Sequence, residues 1–325
     1  MNLNRDPLQL SVLCGVVVTY QPDEVVTDNL AAMVRECGRL LVVDNGSALE
    51  IQQRLAAVPG VELLALGGNE GVAAALNRGL LRAEALGCRW VVMFDQDSQP
   101  RPGLVEALLA SSTAGGDSLA VVGANTIDSR FPGRLELWPI AGRNRFVLRK
   151  SRCTTADLTG VATVITSGAL VSLRVWRAVG GFDEALFIDY VDHDFCLRAR
   201  AAGFEIRVSA AARLIHSLGA KRSVRVLGRG FTPTFHSPLR HYFMARNRII
   251  VWKRYVWRFP YWVIFDGSDV ARNWVRIAVA EDQKIKKLWA IVRGTCAGIC
   301  LSFRGRRYWV NPLQERAPAF EGRRA

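Results

Sequence analysis

Trp90-Val91-Val92-Met93-Phe94-Asp95-Gln96-Asp97-Ser98-Gln99-Pro100 opens as an apolar run too short for a helix, rich in valine and aromatics, and a proline closes the stretch. Such a run is a buried strand. Two carboxylates, one residue apart, stand where it ends. In an extended segment residues i and i+2 point to one side, so Asp95 and Asp97 can present their oxygens together. Paired hard oxygen ligands at the carboxyl end of a strand suit Mg²⁺ or Mn²⁺ that also holds a diphosphate. An Asp-rich turn whose side chains cap backbone amides is the plainer alternative, and this stretch alone leaves both open.

Toward the N-terminus the same kind of strand recurs. Residues 10–20 (LSVLCGVVVTY), 40–47 (LLVVDNGS) and 61–66 predict three more, with helical spacing over 23–37, up to about 58, and over 72–86. Buried strands alternating with amphipathic helices predict a mostly parallel α/β sheet with right-handed crossovers, and in such sheets ligands collect at the carboxyl ends of the strands. Thr19, Tyr20, Asp44, Asn69 and the Asp95/Asp97 pair all fall at those ends. Asp44 can accept from the imide of uracil or thymine or from a ribose, or simply hold a turn. Asn69-Glu70-Gly71 puts glycine where a backbone approaches a ligand or where a helix starts, and Asn77 lies further down that helix.

Toward the C-terminus a helix is predicted over 104–109 and a strand over 119–123. Residues 124–157, rich in Arg, Gly and Pro, read as a mobile or substrate-facing insertion. Residues 161–173 predict a strand pair or a bent strand broken at Thr166-Ser167-Gly168. A second concentration of chemistry follows at 179–198 (VGGFDEALFIDYVDHDFCLR), where Asp189, Asp192, His193 and Asp194 crowd the start of a helix that Gly203 ends. The helix dipole accounts for one or two acids there, not for four ionisable groups beside Gly-Gly-Phe. Crowded carboxylates acquire separated pKa values, which suits a general base. A last strand is predicted at 206–208, and His216 after it is either structural or a third metal ligand.

Half of the 325 residues are apolar, enough for one large α/β domain with appendages or for two domains. The seven cysteines form no CxxC pair, so neither a zinc site nor a disulfide framework is indicated, and the pattern fits a reducing compartment. The N-terminus lacks a basic segment and a small-residue cleavage site, so no signal peptide is expected. No stretch reaches the roughly 20 apolar residues of a spanning helix. The net charge of +14 is uneven: residues 1–220 hold 21 Lys and Arg against 23 Asp and Glu, residues 221–325 hold 22 against 6. This predicts a near-neutral catalytic body at 1–220 and a basic, helical C-terminal region at 221–325 that meets something anionic.

As an ordered set, VVVTYQP (16–22), VVDNGS (42–47), NEGVAAALNRG (69–79), FDQDS (94–98), the run 167–204 and His216 resemble the GT-A fold of family 2 inverting glycosyltransferases, over about residues 10–250. FDQDS, LFIDYVDHDFCLR and HYFMARN (241–247) look most like bacterial L-rhamnosyltransferases of lipopolysaccharide, polysaccharide or rhamnolipid synthesis. The resemblance implies dTDP-L-rhamnose as donor and inversion in one displacement. It implies that Thr19, Tyr20 and Asp44 hold the nucleotide base, and that Asn69, Gly71 and Asn77 line the donor. It further implies Asp97 as metal ligand, Asp95 near the ribose and the metal, and Asp192 as the base. Val191 stands where many members have Glu, which keeps Asp189 and Asp194 open as alternatives; Gly168, Phe187, Asp189 and Arg198 fall on the acceptor side. A UDP-hexose or UDP-galactofuranose donor, or a non-catalytic nucleotide-sugar module, are the competing readings.

In the basic region, residues 241–265 interleave Trp, Tyr and Phe with Arg and Lys, and residues 284–309 are an apolar segment bracketed by basic clusters. Interfacial aromatics with snorkelling cations suit an anionic membrane surface. The expectation is a peripheral enzyme at the cytoplasmic face of a bacterial inner membrane, with a membrane-associated glycan or glycolipid acceptor. Packing of C-terminal helices on the body is the plainer alternative. Nucleic-acid binding would leave the acidic clusters unexplained.

Overall fold

Apolar strands must be covered on both faces, and three such strands, with a fourth that carries Glu62 and is only partly buried, make the parallel half of the sheet. In the computed structural model, which describes residues 12–128, 136–141, 148–216, 224–226, 229–231 and 236–301, these are β1 (Leu13–Thr19), β2 (Leu40–Asp44), β3 (Val61–Ala65) and β4 (Trp90–Asp95). They lie in the order β3-β2-β1-β4. Helices α1 (Val26–Cys37), α2 (Leu49–Ala56) and α3 (Val72–Ala85) make the crossovers. Register sets Thr19 level with Asp44 and Val18 level with Asp95, so the polar strand ends line one edge.

Alternate residues of each strand enter different cores. Val16, Leu41, Val43, Val91 and Met93 pack with Ala73, Leu76 and Leu80 of α3. Val17, Val42, Val92 and Phe94 pack with Leu30 and Met33 of α1 and with Leu104 and Leu108 of α4 (Leu104–Thr113).

Beyond β4 the sheet is mixed. After the short β5 (Ser98–Pro100) and α4 come β6 (Leu119–Asp128), a hairpin β7 (Leu137–Ala141) and β8 (Leu148–Arg152), and β9 (Ala169–Ser172). Then follow α5 (Leu173–Ala178), α6 (Val191–Ala201) and β10 (Glu205–His216). β9 runs antiparallel between β4 and β6; β10 is parallel to β6, and β5 adds antiparallel to β10.

Three expectations change. Residues 161–168 are not a strand; only 169–172 join the sheet. The described part of 124–157 is the end of β6 and a packed hairpin, with Trp138 and Cys153 buried and Asn125 Nδ2 donating to Cys153 O at 2.7 Å. The last strand is far longer than 206–208, because β5 and β6 supply ladder partners from distant parts of the chain to an alanine-rich stretch.

The basic region holds a short antiparallel pair, β11 (Val224–Val226) and β12 (Arg229–Phe231), and then three helices, α7 (Pro238–Tyr255), α8 (Pro260–Ala280) and α9 (Lys284–Cys300). Ser237 caps α7 by accepting from the Arg240 N–H, and Pro238 occupies its first turn. Among the described residues no helix is long and apolar enough to cross a membrane. Residues 1–11 and 302–309 lie outside the described residues.

Candidate active site

Asp95 ends β4, and Gln96 and Asp97 then form a turn into β5 rather than an extended segment, so strand alternation is not what orients the two acids. The turn is held from three sides. Ser98 Oγ accepts from Asp95 N at 3.1 Å and shares a 2.5 Å hydrogen bond with Ser167. Gln96 Oε1 accepts from Tyr20 N at 2.9 Å, and Asn29 Nδ2 donates to Gln96 O at 3.0 Å. Both carboxylates are half-buried. His216 pairs with Ser98 through the ladder, which brings its backbone beside the acid turn; its side chain lies outside the described residues.

The residue that joins the two acidic clusters is Arg240, from the first turn of α7. Its Nη2 lies 2.9 Å from Asp189 Oδ1 and its Nε 3.0 Å from Asp189 Oδ2. Burial works against the guanidinium charge. The Asp189 hydrogen bonds, with the fields of Asp189, Asp95 and Asp97, outweigh it and raise the Arg240 pKa. One cation therefore feels acids from sequence positions 95, 97 and 189.

Asp192 sits in the first turn of α6, largely covered, with Oδ1 accepting from His193 N at 2.8 Å. It lines the same small cavity as Met93 of β4, Thr166 and Phe195. Asp192 thus lies near Met93, two residues before Asp95.

The loop that delivers Asp192 is strained. Phe187, Asp189 and Tyr190 have φ of 64°, 62° and 66°, a region that costs non-glycine residues about 1–3 kcal/mol each unless the surroundings hold them. α7 supplies the hold. Asn247, fully buried, donates Nδ2 to Leu186 O at 2.7 Å, Ile188 O at 2.8 Å and Asp189 O at 3.0 Å. Arg246 adds a bond to Ala185 O at 2.7 Å. From the other side Phe187 O accepts from Val72 N at 2.7 Å, taking a donor that the start of α3 leaves open, and the Phe187 ring stacks on Phe243 at 5.0 Å. α7, which lies beyond residue 220, thus clamps the Asp192 loop.

Several residues expected to meet ligand are occupied elsewhere. Asn77 donates to Phe182 O and Glu184 Oε1 and accepts from Phe182 N and Trp176 Nε1, which uses its whole hydrogen-bonding capacity. It holds the Gly180–Asp183 loop instead of lining the donor. Asp44 is buried and accepts from Thr19 Oγ1, Ser47 N, Ser47 Oγ and Gln52 Nε2, so the turn role stands, and Thr19 is spent on it. Tyr20 is exposed and Asn69 remains at the surface, its Oδ1 accepting from Asn45 Nδ2 and Gly71 N. Gly168 is buried between strands, where a Cβ would meet Leu214 at 2.9 Å, and does not face an acceptor. Arg198 is buried and spent on Asp194 and Val179 O; Asp194, wholly buried, is no candidate base.

At Gly71 (φ +89°) the close approach is to protein: a Cβ there would stand 2.6 Å from the Phe187 ring and 2.7 Å from its carbonyl oxygen. Gly71→Ala is expected to destabilise the fold by about 1–3 kcal/mol and to lower transfer by displacing the Asp192 loop. Thermal unfolding checks this, and a melting temperature equal to the parent's would contradict it.

Arg240 and Arg254 carry no sequence motif, and Asn247 enters only as the end of HYFMARN (241–247). Their spacing of seven residues, which puts them on one face of a helix, was the available signal. Among the described residues no group of three or more His, Cys, Asp or Glu converges as a ready metal site. Asp95 and Asp97 still fit Mg²⁺ or Mn²⁺, which bind through one or two carboxylates and take their remaining ligands from water and substrate phosphate.

The pattern of glycosyl transferase family 2 matches residues 16–175. The chain is 32% identical over 250 residues to the dTDP-rhamnosyl transferase RfbF of Shigella flexneri, covering 75% of this chain and 81% of that one. It is 28% identical over 295 residues to the galactofuranosyltransferase GlfT1 of Mycolicibacterium smegmatis, covering 82% and 95%. It is 27% identical over 316 residues to an N-acetylglucosaminyl-diphospho-decaprenol L-rhamnosyltransferase of Mycobacterium tuberculosis, covering 87% and 98%. The fold is similar to that of GalNAc-T7, solved with UDP, GalNAc and Mn²⁺, at a TM-score of 0.52 and 11% identity over 72% of this chain and 47% of that one. Acid-tipped parallel strands, a second acidic cluster that shares Arg240 with the first, and these relatives agree: the chain is a glycosyltransferase of the GT-A type and belongs to glycosyl transferase family 2.

Proposed function

We propose that the protein transfers L-rhamnose from dTDP-L-rhamnose to a hydroxyl of a membrane-associated glycan or glycolipid, with inversion, at the cytoplasmic face of a bacterial membrane. The observation that carries this reading is that Arg240, paired with Asp189 at 2.9 Å, also lies in the field of Asp95 and Asp97, while Asp192 lies three residues beyond Asp189 in the chain. The rhamnosyl relatives support the sugar, and the diphospho-decaprenol named for one of them supports a lipid-linked acceptor.

In the proposed reaction the acceptor oxygen bonds to C1 of the sugar as the C1–oxygen bond to the diphosphate breaks. The electron pair leaves with dTDP, and Asp192 takes the acceptor proton. Tyr20, exposed at the end of β1, offers a face for the base, and Asn69 stands beside the donor path. Arg240 stands where it can pair with diphosphate as well as with Asp189. A divalent ion held by Asp95 and Asp97 would neutralise charge developing on the leaving diphosphate. The positioned Asp192 counts against a non-catalytic sugar-binding module.

A second reading, galactofuranosyl transfer from UDP-galactofuranose, is supported by the similarity to GlfT1. Offering the purified chain dTDP-rhamnose, UDP-galactofuranose and UDP-hexoses with Mg²⁺ or Mn²⁺, and measuring binding and slow hydrolysis, separates the two. Preference for a UDP-sugar would overturn the donor assignment. Asp97→Ala is expected to weaken metal-dependent donor binding by about 10–100-fold, the worth of a charged hydrogen-bonding contact. Calorimetry with and without the metal reads this, and equal affinities in both proteins would remove Asp97 from the metal.

A further inference from the structure

α9 is amphipathic with its apolar side turned outward. Ile285, Trp289, Val292, Cys296 and Ile299 follow at spacings of four, three, four and three, which puts them on one side of the helix. That side is in solvent: Ile285 is 84% exposed, Trp289 62% and Ile299 57%, and Val292 and Cys296 are exposed as well. The inward side holds Lys287, Ile291, Gly294 and Gly298. A helix resting on a globular body ordinarily shows the reverse arrangement.

The packing fixes this orientation. Gly294 and Gly298 bring α9 against the backbone of α7, where a Cβ would lie 2.2 Å from Tyr242 O and 2.6 Å from Arg246 O respectively. Lys287 is buried with Nζ 2.9 Å from Glu281 and 2.7 Å from Asp282. Turning the stripe inward would drive large side chains into the glycine contacts and pull a buried cation from its acids.

The charges choose what covers the stripe. α9 has no Asp or Glu, and exposed Lys286 and Arg293 stand beside the apolar residues. A second copy meeting this face across a two-fold axis would set those cations against their own kind. An anionic lipid surface accepts both the cations and the apolar side chains, and Trp289 suits its interfacial depth.

We infer that the outward face of α9 is a membrane-contact surface, with Ile285, Trp289, Val292 and Ile299 immersed among anionic headgroups. The inference deepens the membrane part of the proposed function by assigning its contact face, and its test reads lipid binding rather than sugar transfer. The full chain is spun with vesicles of phosphatidylglycerol and phosphatidylethanolamine, and separately with phosphatidylcholine vesicles. The parent should pellet with the anionic vesicles. Trp289→Ser with Val292→Ser should weaken partitioning at least tenfold at any salt concentration, without a change in melting temperature. Lys286→Glu with Arg293→Glu should abolish the preference for anionic lipid. A parent protein that stays in the supernatant with both vesicles overturns the inference, as does a Trp289/Val292 variant that pellets like the parent. A dimer in light scattering that this variant dissolves would reassign the stripe to a second copy. Slow donor hydrolysis, measured without vesicles, tests the sugar-transfer reading separately.

Discussion

Asp192→Asn is expected to lower sugar transfer by about 10²–10⁴-fold, the usual worth of a positioned general base, while donor affinity stays close to the parent's. The change is well controlled by the local structure. Asp192 Oδ1 accepts from His193 N at 2.8 Å, and the amide oxygen of Asn can do the same, so the start of α6 keeps its geometry. What disappears is the capacity to take a proton from the acceptor hydroxyl. Asp194 cannot substitute, because both its oxygens are committed to arginines in the core. Asp189 is bound by Arg240 on both oxygens, so it can serve as a base only after that pair opens. Initial rates with donor and acceptor, alongside nucleotide affinity, separate the outcomes. Unchanged turnover would strip Asp192 of the role and leave Asp189 as the group to examine.

The first half of the fold was legible because strands covered on both faces announce themselves as unbroken apolar runs, and the polar residues after them mark the functional edge. The same reading could not tell which polar residues face the crevice and which face inward. Asn77 lies within a motif yet spends its donors and acceptors on Phe182, Glu184 and Trp176, all distant in sequence. Asp44 shows the reverse economy: Ser47 and Gln52, close in sequence, satisfy it locally. β10 was underestimated because its pairing to β5 and β6 is non-local. The basic region was read by its charge sum, which does not distinguish a paired cation from a solvated one. Arg240, Arg248 and Arg254 of α7 turn inward to Asp189, Asp266 and Asp194, whereas Lys286 and Arg293 of α9 remain outside. The membrane proposal therefore rests on one face of α9 rather than on the summed charge of the basic region.

The largest loss of stability is expected at Asp194→Ala, about 3–5 kcal/mol, the cost of breaking a buried ion pair by removing one partner. Asp194 is wholly buried, with Arg198 Nη2 at 2.8 Å, Arg254 Nη1 at 2.8 Å and the Tyr255 hydroxyl at 3.1 Å. Arg254 also pairs with Asp183 at 2.8 Å, so one network ties α6, α7 and the Gly-Gly-Phe-Asp loop together. Burial alone would push the Asp194 carboxyl up, but the two guanidiniums outweigh it and hold its pKa below the ordinary 3.8. A depressed pKa in the folded state means that the carboxylate's contribution is complete above about pH 4–5 and is lost as pH falls through the folded value. The parent's stability should therefore fall on acidification below pH 4, and the Asp194→Ala protein should lack that part of the dependence. Denaturant unfolding across pH 3 to 7 measures both. The variant also separates support from chemistry: its transfer activity should fall in step with the fraction unfolded, whereas Asp192→Asn should lose activity with its melting temperature intact. If Asp194→Ala melts like the parent and still loses transfer, the network serves the reaction directly and the division between Asp192 and Asp194 drawn from their burial is wrong.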